Sequence, residues 1–495
     1  DITEQIICVF LFIRMREVDL GAGRALLIKE HGEFFAMGHK CPHYGAPLVK
    51  GVLSKGHVRC PWHGACFNIA TGDIEDFPGL DSLPTFQLKS CIYIQIQDKR
   101  RNFLMLLLTL CGCSHSGPAG LVCAETLRQE GFTDRIVICT TDKHLPYDRP
   151  KLSKSLESTA EQLQLRSSDF FQMHDIEVLL EKEVVSVDVK THTVTFRDGF
   201  KMEYRKLFIA TGSRPKPLSY KGKDVGNVFH LRTPEDANSI VTLASSKNAV
   251  IIGTSFIGME VAAALTDKAH SVSVIGIEAV PFRKALGEKV GKALMKLKEV
   301  VLKSGKVLRA DVCVIGIGGS MKLHMHGFSI LSNIFLSLYK KYLKCGTSIE
   351  IVILFSGFFD KEKTMQTNID GVFAGGDVVT FPLALRSNKK VNIPHWQMAH
   401  VHGRLAALGI MGKASDIKTV PYFWTAMFGK SIRYAGYGDG FDDVVIQGDL
   451  DELKFVAFYT KSEEVVAVAS MNYDPIVSRV AEVFGSGKTI RKRDV

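Results

Sequence analysis

The stretches CPH at residues 41–43 and CPWH at residues 60–63 carry the clearest structural signal in this chain. Sixteen residues separate them, which gives the spacing C-x-H-x16-C-x2-H. Two thiolates and two imidazoles suit an asymmetric binuclear iron–sulfur site, in which thiolates hold one iron and imidazoles the other. We therefore predict that two loops clamp a [2Fe–2S] cluster through four ligands, which are Cys41, His43, Cys60 and His63.

Two other interpretations use the same residues. A zinc site with two Cys and two His is chemically feasible, although zinc spacings usually pair Cys with Cys and His with His. Chance placement of the four residues in turns is the second alternative. Gly45 and Gly64 follow the ligand pairs and favour the cluster, because glycine lets the backbone approach closely and donate N–H bonds to sulfur.

Residues 38–79 resemble the Rieske family. Some Rieske proteins of respiratory complexes carry an extra disulfide between the two loops, and the corresponding positions here are Ala46 and Trp62. The resemblance is therefore to the ferredoxin-like, lower-potential branch. It implies that the exposed edges of His43 and His63 form the electron-exchange face.

Apolar strands followed by glycine turns and helical patterns occur twice after residue 103, which predicts two doubly wound nucleotide-binding domains. In the first fingerprint, HSGPAG at 115–120, Gly117 permits close approach of a pyrophosphate and Gly120 permits helix–strand packing. His115 replaces the first glycine of the motif, in its tight turn. Asp142 lies about twenty residues further on, where an acidic residue bonds a ribose hydroxyl.

The second fingerprint is GTSFIG, in which Gly253 and Gly258 fit the motif and Ser255 replaces the middle glycine. Gly276 stands where an acidic residue would hold the ribose of NAD, and Glu278, two residues later, is an alternative for that role. No clear pair of arginines replaces that acid, so the sequence leaves NAD and NADP as alternatives.

Three later stretches follow in order, which are PYDRPKLSK at 146–154, ATG at 210–212 and FAGGD at 373–377. With the fingerprints they resemble the pyridine-nucleotide-dependent flavoprotein reductases. The resemblance implies that Asp377 bonds the ribityl chain of FAD and that Trp396 lines the isoalloxazine ring. It also implies that Arg149 and Lys154 face the flavin and its pyrophosphate. The implied FAD contacts are Gly117, Gly120, Asp142, Arg149, Lys154, Ala210, Gly212, Asp377 and Trp396, and the implied NAD(P)H contacts are Gly253 and Gly258.

An iron–sulfur domain ahead of such a flavoprotein, with the tail VPYFWTAMFGKSIRYAGYGDGFDDV at 420–444, resembles the Rieske-bearing branch of the apoptosis-inducing factor family. The resemblance implies FAD, an NAD(P)H reductant, a mitochondrial setting and a pro-apoptotic association. Residues 1–14, 98–116 and 298–363 differ from the family pattern, and the nicotinamide domain is short.

The predicted fold is multidomain, with a small all-β Rieske domain, an α/β flavoprotein reductase of two dinucleotide-binding domains, and an α+β C-terminal domain. We predict the Rieske domain over 1–98 and a discontinuous FAD-binding domain over 103–245 and 319–415. The shortened NAD(P)-binding domain covers 246–318, and a dimerisation-like domain covers 418–495.

Composition disfavours nucleic-acid-binding, membrane-spanning and secreted disulfide-rich proteins. The net charge of +10 is spread along the chain, without the basic stripe and interleaved aromatics that indicate nucleic-acid binding. The longest apolar run, 103–113, is too short for a transmembrane segment, which needs about 20 residues. Two of the eleven cysteines belong to the ligand motif and the rest are scattered, which indicates a reducing compartment, mitochondrial or cytoplasmic, rather than a secreted disulfide framework.

Two functions of different class follow from these motifs. In the first, NAD(P)H reduces FAD, and single electrons pass to the cluster and on to an unidentified acceptor, with a homodimer as one assembly. In the second, the changes at His115, Ser255 and Gly276 leave an impaired scaffold or signalling protein that retains the cluster. A Rieske oxygenase is disfavoured, because no helix presents two His and a carboxylate for a mononuclear iron. The flavin domain also lacks the C-x-x-C pair of a disulfide reductase.

Overall fold

The computed structural model describes residues 14–20, 23–76, 78–86, 107–111, 117–216, 225–295, 310–320, 353–354, 364–413, 415 and 419–495. The fingerprint residue His115 and most of residues 298–363 lie outside these ranges. The chain forms two compact units. One comprises residues 1–99, 282–298 and 418–495, and the other comprises residues 100–281 and 299–417.

Residues 14–86 form two antiparallel sheets, which confirms the predicted small all-β domain. The strands are β1 Met15–Asp19, β2 Arg24–Glu30, β3 Glu33–Gly38, β4 Val52–Ser54, β5 His57–Arg59, β6 Cys66–Asn68, β7 Ile74–Asp76 and β8 Thr85–Phe86. Their orders are β1-β2-β3-β8 and β4-β5-β6-β7. One ligand-bearing loop follows β3 and the other joins β5 to β6, so packing of the two sheets brings the loops together.

The described residues of the second unit contain seventeen further strands. They are β9 Leu107–Cys111, β10 Ile136–Thr140, β11 Ile176–Leu179, β12 Val184–Asp188, β13 Thr193–Phe196, β14 Lys201–Glu203, β15 Lys206–Ile209, β16 Arg214–Pro215, β17 Val228–Phe229, β18 Asn248–Ile252, β19 Ser271–Ile275, β20 Val312–Ile315, β21 Gly319–Ser320, β22 Ile353–Leu354, β23 Val372–Ala374, β24 Val379–Leu383 and β25 Lys389–Val391. The helices of the described residues are α1 Pro118–Gln129, α2 Ala160–Leu163, α3 Ser168–Met173, α4 Pro234–Ala244, α5 Phe256–Leu265, α6 Arg283–Met295, α7 Trp396–Ile410 and α8 Ile476–Gly485.

Two parallel sheets organise the second unit, with orders β11-β10-β9-β15-β23 and β17-β20-β18-β19. All five residues of β10 are buried, as expected of a strand covered on both faces. Helix α7 lies against α1 at Gly403, where a β-carbon would stand 2.4 Å from the carbonyl oxygen of Ala119. The predicted pair of doubly wound domains is therefore present.

Helix α6 lies within the predicted NAD(P)-binding range 246–318 but clusters with the first unit. The Tyr459 hydroxyl donates to the carbonyl oxygen of Leu286 at 3.0 Å. Gly287 adopts φ of 77° and faces the Phe441 ring. The sequence pattern alone did not reveal this, because the helix packs on residues more than a hundred positions away.

Residues 422–471 form one antiparallel sheet of order β26-β27-β30-β29-β28. Its strands are β26 Tyr422–Met427, β27 Lys430–Gly436, β28 Asp443–Asp449, β29 Lys454–Lys461 and β30 Glu464–Met471. Helix α8 buries one apolar stripe, formed by Val477, Val480, Ala481 and Phe484. The predicted α+β C-terminal domain is confirmed. Across the described parts of the chain, no helix has the length and apolar character that crossing a bilayer requires.

Candidate functional site

The four predicted cluster ligands lie in two facing pairs. The thiols of Cys41 and Cys60 are 2% and 1% exposed, are not joined in a disulfide, and are hydrogen-bonded to each other. The Nδ1 atoms of His43 and His63 are 3.2 Å apart. Each loop contributes one Cys and one His, so the structure brings together all four residues that the sequence singled out.

Two pairs suit a binuclear cluster better than a single zinc ion. In the part of the chain that the structure describes, no three His, Cys, Asp or Glu side chains surround one ion position. A Rieske-type cluster instead needs one Cys pair on the first iron and one His pair on the second. The donor set therefore fits the cluster, and the ligand assignment stays a prediction.

Backbone N–H groups point at both sulfurs. His43 and Tyr44 donate to Cys41, and Trp62 and His63 donate to Cys60. We had expected Gly45 and Gly64 as donors. Burial raises the pKa of the Cys60 thiol, but the hydrogen bond from Cys41 and these N–H groups lower it overall. The pKa of Cys41 is raised, chiefly by its hydrogen bond with Cys60. N–H donors of this kind stabilise negative charge on cluster thiolates.

Aromatic side chains lie beside the two histidines, whose expected role as the electron-exchange face stays a prediction. His43 and His63 are half-buried. Their rings lie 5.7 Å and 4.8 Å from the ring of Trp424, between centroids. Tyr44 is on the loop of His43, and the centroid of its ring lies 4.0 Å from that of His43 and 5.1 Å from that of His63. The C-terminal domain thus contributes an aromatic side chain to the candidate cluster site.

A buried arginine joins the second ligand loop to the C-terminal domain. Arg59 is 6% exposed and donates through Nη1 to Asp76 and to the carbonyl oxygen of Gly64, each at 2.8 Å. Its Nε donates to Glu482 on α8. Burial raises the pKa of Asp76, and the charge of Arg59 opposes that rise. Sequence motifs gave no signal for this network.

The first fingerprint opens helix α1 as predicted. Gly117 is the N-cap residue, and a β-carbon there would meet nothing within 4 Å. Gly120 is buried within the helix. Asp142 follows β10, is 4% exposed, and accepts the backbone N–H of His144 at 3.2 Å. An open glycine at a helix N-terminus fits a diphosphate, because its free N–H groups and helix dipole attract anions.

The ATG and GGD motifs meet because β15 and β23 are parallel neighbours in one sheet. Ala210 and Gly212 follow β15, and Gly212 has φ of +71°. The Ser213 hydroxyl donates to Asp377 at 2.7 Å. The carboxyl ends of neighbouring parallel strands are the usual ligand-binding edge of such sheets. The predicted contacts Ala210, Gly212 and Asp377 therefore lie together.

Arg232 is a candidate FAD residue that the motif analysis missed. Its Nη2 donates to the carbonyl oxygen of Ser213 at 2.8 Å, while its Nε is buried without a hydrogen-bond partner among the described atoms. Burial and, to a smaller extent, the charge of Arg149 lower its pKa to about 10, and the charge of Asp377 opposes this shift. Two neighbouring, half-buried guanidinium groups fit an anionic diphosphate.

Lys154 is held by residues that the sequence did not suggest. Its Nζ lies 2.9 Å from a carboxylate oxygen of Glu260, which is on α5 and 6% exposed. The hydroxyl of Ser153 donates to the same oxygen. Arg149 lies elsewhere, with its guanidinium over the ring of Tyr147 at 5.8 Å. That Arg149 and Lys154 face the flavin and its pyrophosphate stays a prediction.

Trp396 is half-buried at the start of α7, and its ring lies 5.2 Å from that of His400. His395 caps the same helix by accepting the backbone N–H of Gln397 at 3.4 Å. Burial lowers the pKa of His395 to about 4, with a contribution from Lys154. His395 is therefore neutral at physiological pH.

The second fingerprint adopts the close packing that its glycines allow. A β-carbon on Gly253 would lie 2.3 Å from the carbonyl oxygen of Gly316, and one on Gly258 would lie 2.4 Å from that of Gly253. Ser255, at the middle glycine position, caps α5 by accepting the N–H of Gly258 at 3.4 Å. It donates to Gly316 at 2.5 Å. The serine is therefore accommodated by internal hydrogen bonds.

The missing acidic residue also has a structural cause. A β-carbon on Gly276 would lie 2.6 Å from the methyl carbon of Thr254. Thr254 fills the space that a side chain at position 276 would need. The two positions are therefore coupled, although neither alone indicates this in the sequence.

Three families match consecutive parts of the chain. Residues 13–87 match the Rieske [2Fe-2S] domain, residues 116–299 match the pyridine nucleotide-disulphide oxidoreductases, and residues 422–495 match the reductase C-terminal domain.

Individual proteins agree with these matches. The chain is 59% identical to human apoptosis-inducing factor 3, over 97% of this chain and 83% of that protein. It is 28% identical to rhodocoxin reductase of Rhodococcus erythropolis, over 72% of this chain and 85% of that protein. The covalent putidaredoxin reductase–putidaredoxin complex is similar in fold, with a TM-score of 0.66 and 24% identity, over 77% of this chain and 93% of that chain.

Proposed function

This chain belongs to the family of apoptosis-inducing factor 3, and we propose that it carries electrons from NAD(P)H to a Rieske [2Fe–2S] cluster of its own. The observation that carries the proposal is a pair of buried thiols together with two histidines whose Nδ1 atoms lie 3.2 Å from each other. The same chain also has two parallel sheets of the nucleotide-binding type. When bound, FAD supplies hydride acceptance and one-electron release, and the cluster supplies one-electron storage.

The residues at the cluster site would act as follows. Cys41 and Cys60 would hold one iron, and the N–H groups directed at their sulfurs would stabilise the thiolate charge. His43 and His63 would hold the other through Nδ1. Replacing two thiolates by neutral imidazoles raises the potential above that of an all-thiolate site, which suits a cluster that receives electrons from a flavin.

At the FAD site, the protein supplies binding and orientation. The N-terminus of α1 at Gly117 and the half-buried guanidinium of Arg232 would neutralise the diphosphate. Asp142 would accept from the adenosine ribose, and Asp377, held by Ser213, would accept from the ribityl chain. Hydride transfer needs no general base, and none is required of these residues.

At the nicotinamide site, Gly253 and Gly258 allow the backbone to approach the dinucleotide. The Lys154–Glu260 pair bridges the FAD-side segment after β10 and the fingerprint helix α5. A buried ion pair fixes the register of the elements that carry it, so this pair would hold the two nucleotide sites in mutual orientation. The choice between NAD and NADP follows from whatever replaces the acid missing at Gly276.

Partners and location complete the proposal. Rhodocoxin reductase and putidaredoxin reductase are named for separate redox proteins, whereas this chain carries an iron–sulfur domain in covalent linkage. The first acceptor would therefore be internal, with a further acceptor beyond it. We place the protein in a reducing compartment, mitochondrial or cytoplasmic, with a homodimer formed through the C-terminal domain.

The test is an absorption spectrum and a low-temperature EPR spectrum of the purified chain, before and after anaerobic NADH. We expect flavin bands that NADH bleaches, together with the appearance of a Rieske-type EPR signal. A protein that shows the cluster but no response to NADH or NADPH would refute the relay and support the impaired scaffold instead.

Two arginine variants sharpen this test. Arg232→Met removes a charged donor worth about 1.5–3 kcal/mol, so the dissociation constant for FAD should rise roughly tenfold to a hundredfold. Arg135→Met is the matched control, because its guanidinium pairs with Glu177 at half-exposed positions. Equal FAD affinity in both variants would exclude Arg232 from the site.

A further inference from the structure

Trp424 touches both candidate histidine ligands although it lies 361 positions beyond His63 in the sequence. Its indole is tilted by 42° against the ring of His63 and meets that of His43 edge-on, at 80°. Trp424 itself is 8% exposed. Edge and tilted contacts at these separations are the favourable aromatic geometries. One side chain of the C-terminal domain thus restricts both imidazoles.

The strand that carries Trp424 is fixed to the second ligand loop by its neighbour. Trp424 on β26 pairs with Arg433 on β27. Arg433 is buried, donates through Nε to the carbonyl oxygen of Trp62 at 2.8 Å, and forms an ion pair with Asp474 at 3.0 Å. The bond to Trp62 ends on the residue directly before His63. It therefore fixes the position of the second ligand loop relative to the indole.

A second set of bonds holds the same loop to α8. Ser478 on α8 donates to the carbonyl oxygen of Cys60 at 3.0 Å and contacts the hydroxyl of Tyr422 at 3.2 Å. The ring of Tyr422 lies against Gly64, where a β-carbon would stand 2.7 Å from it. Tyr422 and Trp424 project from the same face of β26, because side chains two positions apart in a strand share a face.

We propose that the C-terminal domain forms part of the cluster-binding site. Trp424 is a positioning residue, which orients His43 and His63 and excludes water from them. The inference deepens the proposed function and rests on it, because it assumes that these histidines hold the cluster. The C-terminal domain would thus contact the ligand loops of its own chain, in addition to any contact that it makes in a dimer.

The expected effect on the cluster has a definite sign. Reduction adds one negative charge at the site, and water stabilises that charge better than an indole ring does. Trp424→Ala would admit water beside the imidazoles and raise the reduction potential. We expect the redox equilibrium to shift by about tenfold, which corresponds to about 59 mV for one electron. The EPR g values should shift as well, because the imidazole planes lose their restraint.

The experiment compares four full-length proteins, which are the wild type and the variants Trp424→Ala, Trp424→Phe and Phe423→Leu. Phenylalanine retains an aromatic contact and should restore most of the wild-type potential and g values. Phe423 is the matched control, because it precedes Trp424 on β26 and projects from the opposite face. If Trp424→Ala does not retain a cluster, Trp424→Leu keeps the apolar volume without the ring and is measured in its place.

A second readout does not depend on the cluster. In cluster-free protein, deuterium uptake by residues 41–47 and 60–66 should increase in Trp424→Ala and stay at the wild-type level in Phe423→Leu. Unchanged potential, g values and uptake in the Trp424 variants would overturn the positioning role. A wild-type chain that assembles no cluster would refute the proposed function instead, and the exchange data would still decide whether Trp424 orders the two loops.

Discussion

Alanine at Gly64 tests whether the ligand loop and the C-terminal domain touch as described. Gly64 and Gly45 occupy equivalent places after the two ligand pairs, and both have φ of +75°. A β-carbon at Gly45 would meet nothing within 4 Å, whereas one at Gly64 would lie 2.7–2.9 Å from three ring carbons of Tyr422. The two substitutions therefore share their backbone cost and differ only in the collision.

The magnitude follows from these two contributions. A left-handed backbone conformation costs a residue with a β-carbon about 1–2 kcal/mol, and the smaller freedom of the unfolded chain returns about 0.4–1 kcal/mol. Gly45→Ala should thus lower the free energy of unfolding by about 1 kcal/mol. Overpacking against a buried ring adds about 1–3 kcal/mol, so Gly64→Ala should cost about 2–4 kcal/mol.

The assay is urea unfolding of the full chain followed by tryptophan fluorescence, with free energies taken from the midpoint and slope. Two of the three tryptophans, Trp62 and Trp424, lie in the unit concerned. A double-mutant cycle with Tyr422→Ala isolates the collision, since Gly64→Ala should then cost no more than Gly45→Ala. Equal costs for the two single alanine variants, in the presence of Tyr422, would refute the described contact.

Three further predictions concern other contacts. Arg59→Met leaves the buried carboxylate of Asp76 and the half-buried one of Glu482 without this partner, and should cost about 3–5 kcal/mol in urea unfolding. A cost below about 1 kcal/mol would contradict the network. Gly276→Asp should destabilise the chain by about 1–3 kcal/mol through collision with Thr254, whereas adding Thr254→Gly should recover the loss in a thermal melt. Although burial raises the pKa of Glu235, the hydrogen bond from His144 and other hydrogen bonds lower it from 4.5 to about 2. The stability lost in Glu235→Gln should therefore be full above about pH 4.5 and vanish as pH falls through about 2, and a pH-independent difference in unfolding free energy would argue against this bond.

Much of the candidate site was predictable because its signals are local. The four cluster ligands belong to two short loops, and the glycine fingerprints describe single strand–turn–helix units. Gly117 at the start of α1 and the tight packing of Gly253 and Gly258 appear as the spacing predicted. The prediction that Gly45 and Gly64 donate N–H bonds to sulfur was wrong, because the positions of the glycines do not determine the path of a loop.

Other features had no local signal. Arg232 belongs to none of the motifs identified in the sequence, and only the fold places its guanidinium beside Ser213 and Asp377. The Lys154–Glu260 pair likewise joins two motifs that were interpreted separately. The replacement of an acid by Gly276 is understandable only when Thr254 is seen against it.

Spacing within the sequence by itself determined the chemistry of this protein, since ligand loops and phosphate-binding turns are built from residues within one or two turns of each other. Tertiary structure alone decided what surrounds that chemistry. The bond from Arg433 to Trp62 spans 371 positions, and that from Arg59 to Glu482 spans 423. No periodicity or motif encodes such contacts, because they arise only when the C-terminal sheet and α8 pack against the ligand loops. The setting of the two histidines is therefore a property of the folded first unit.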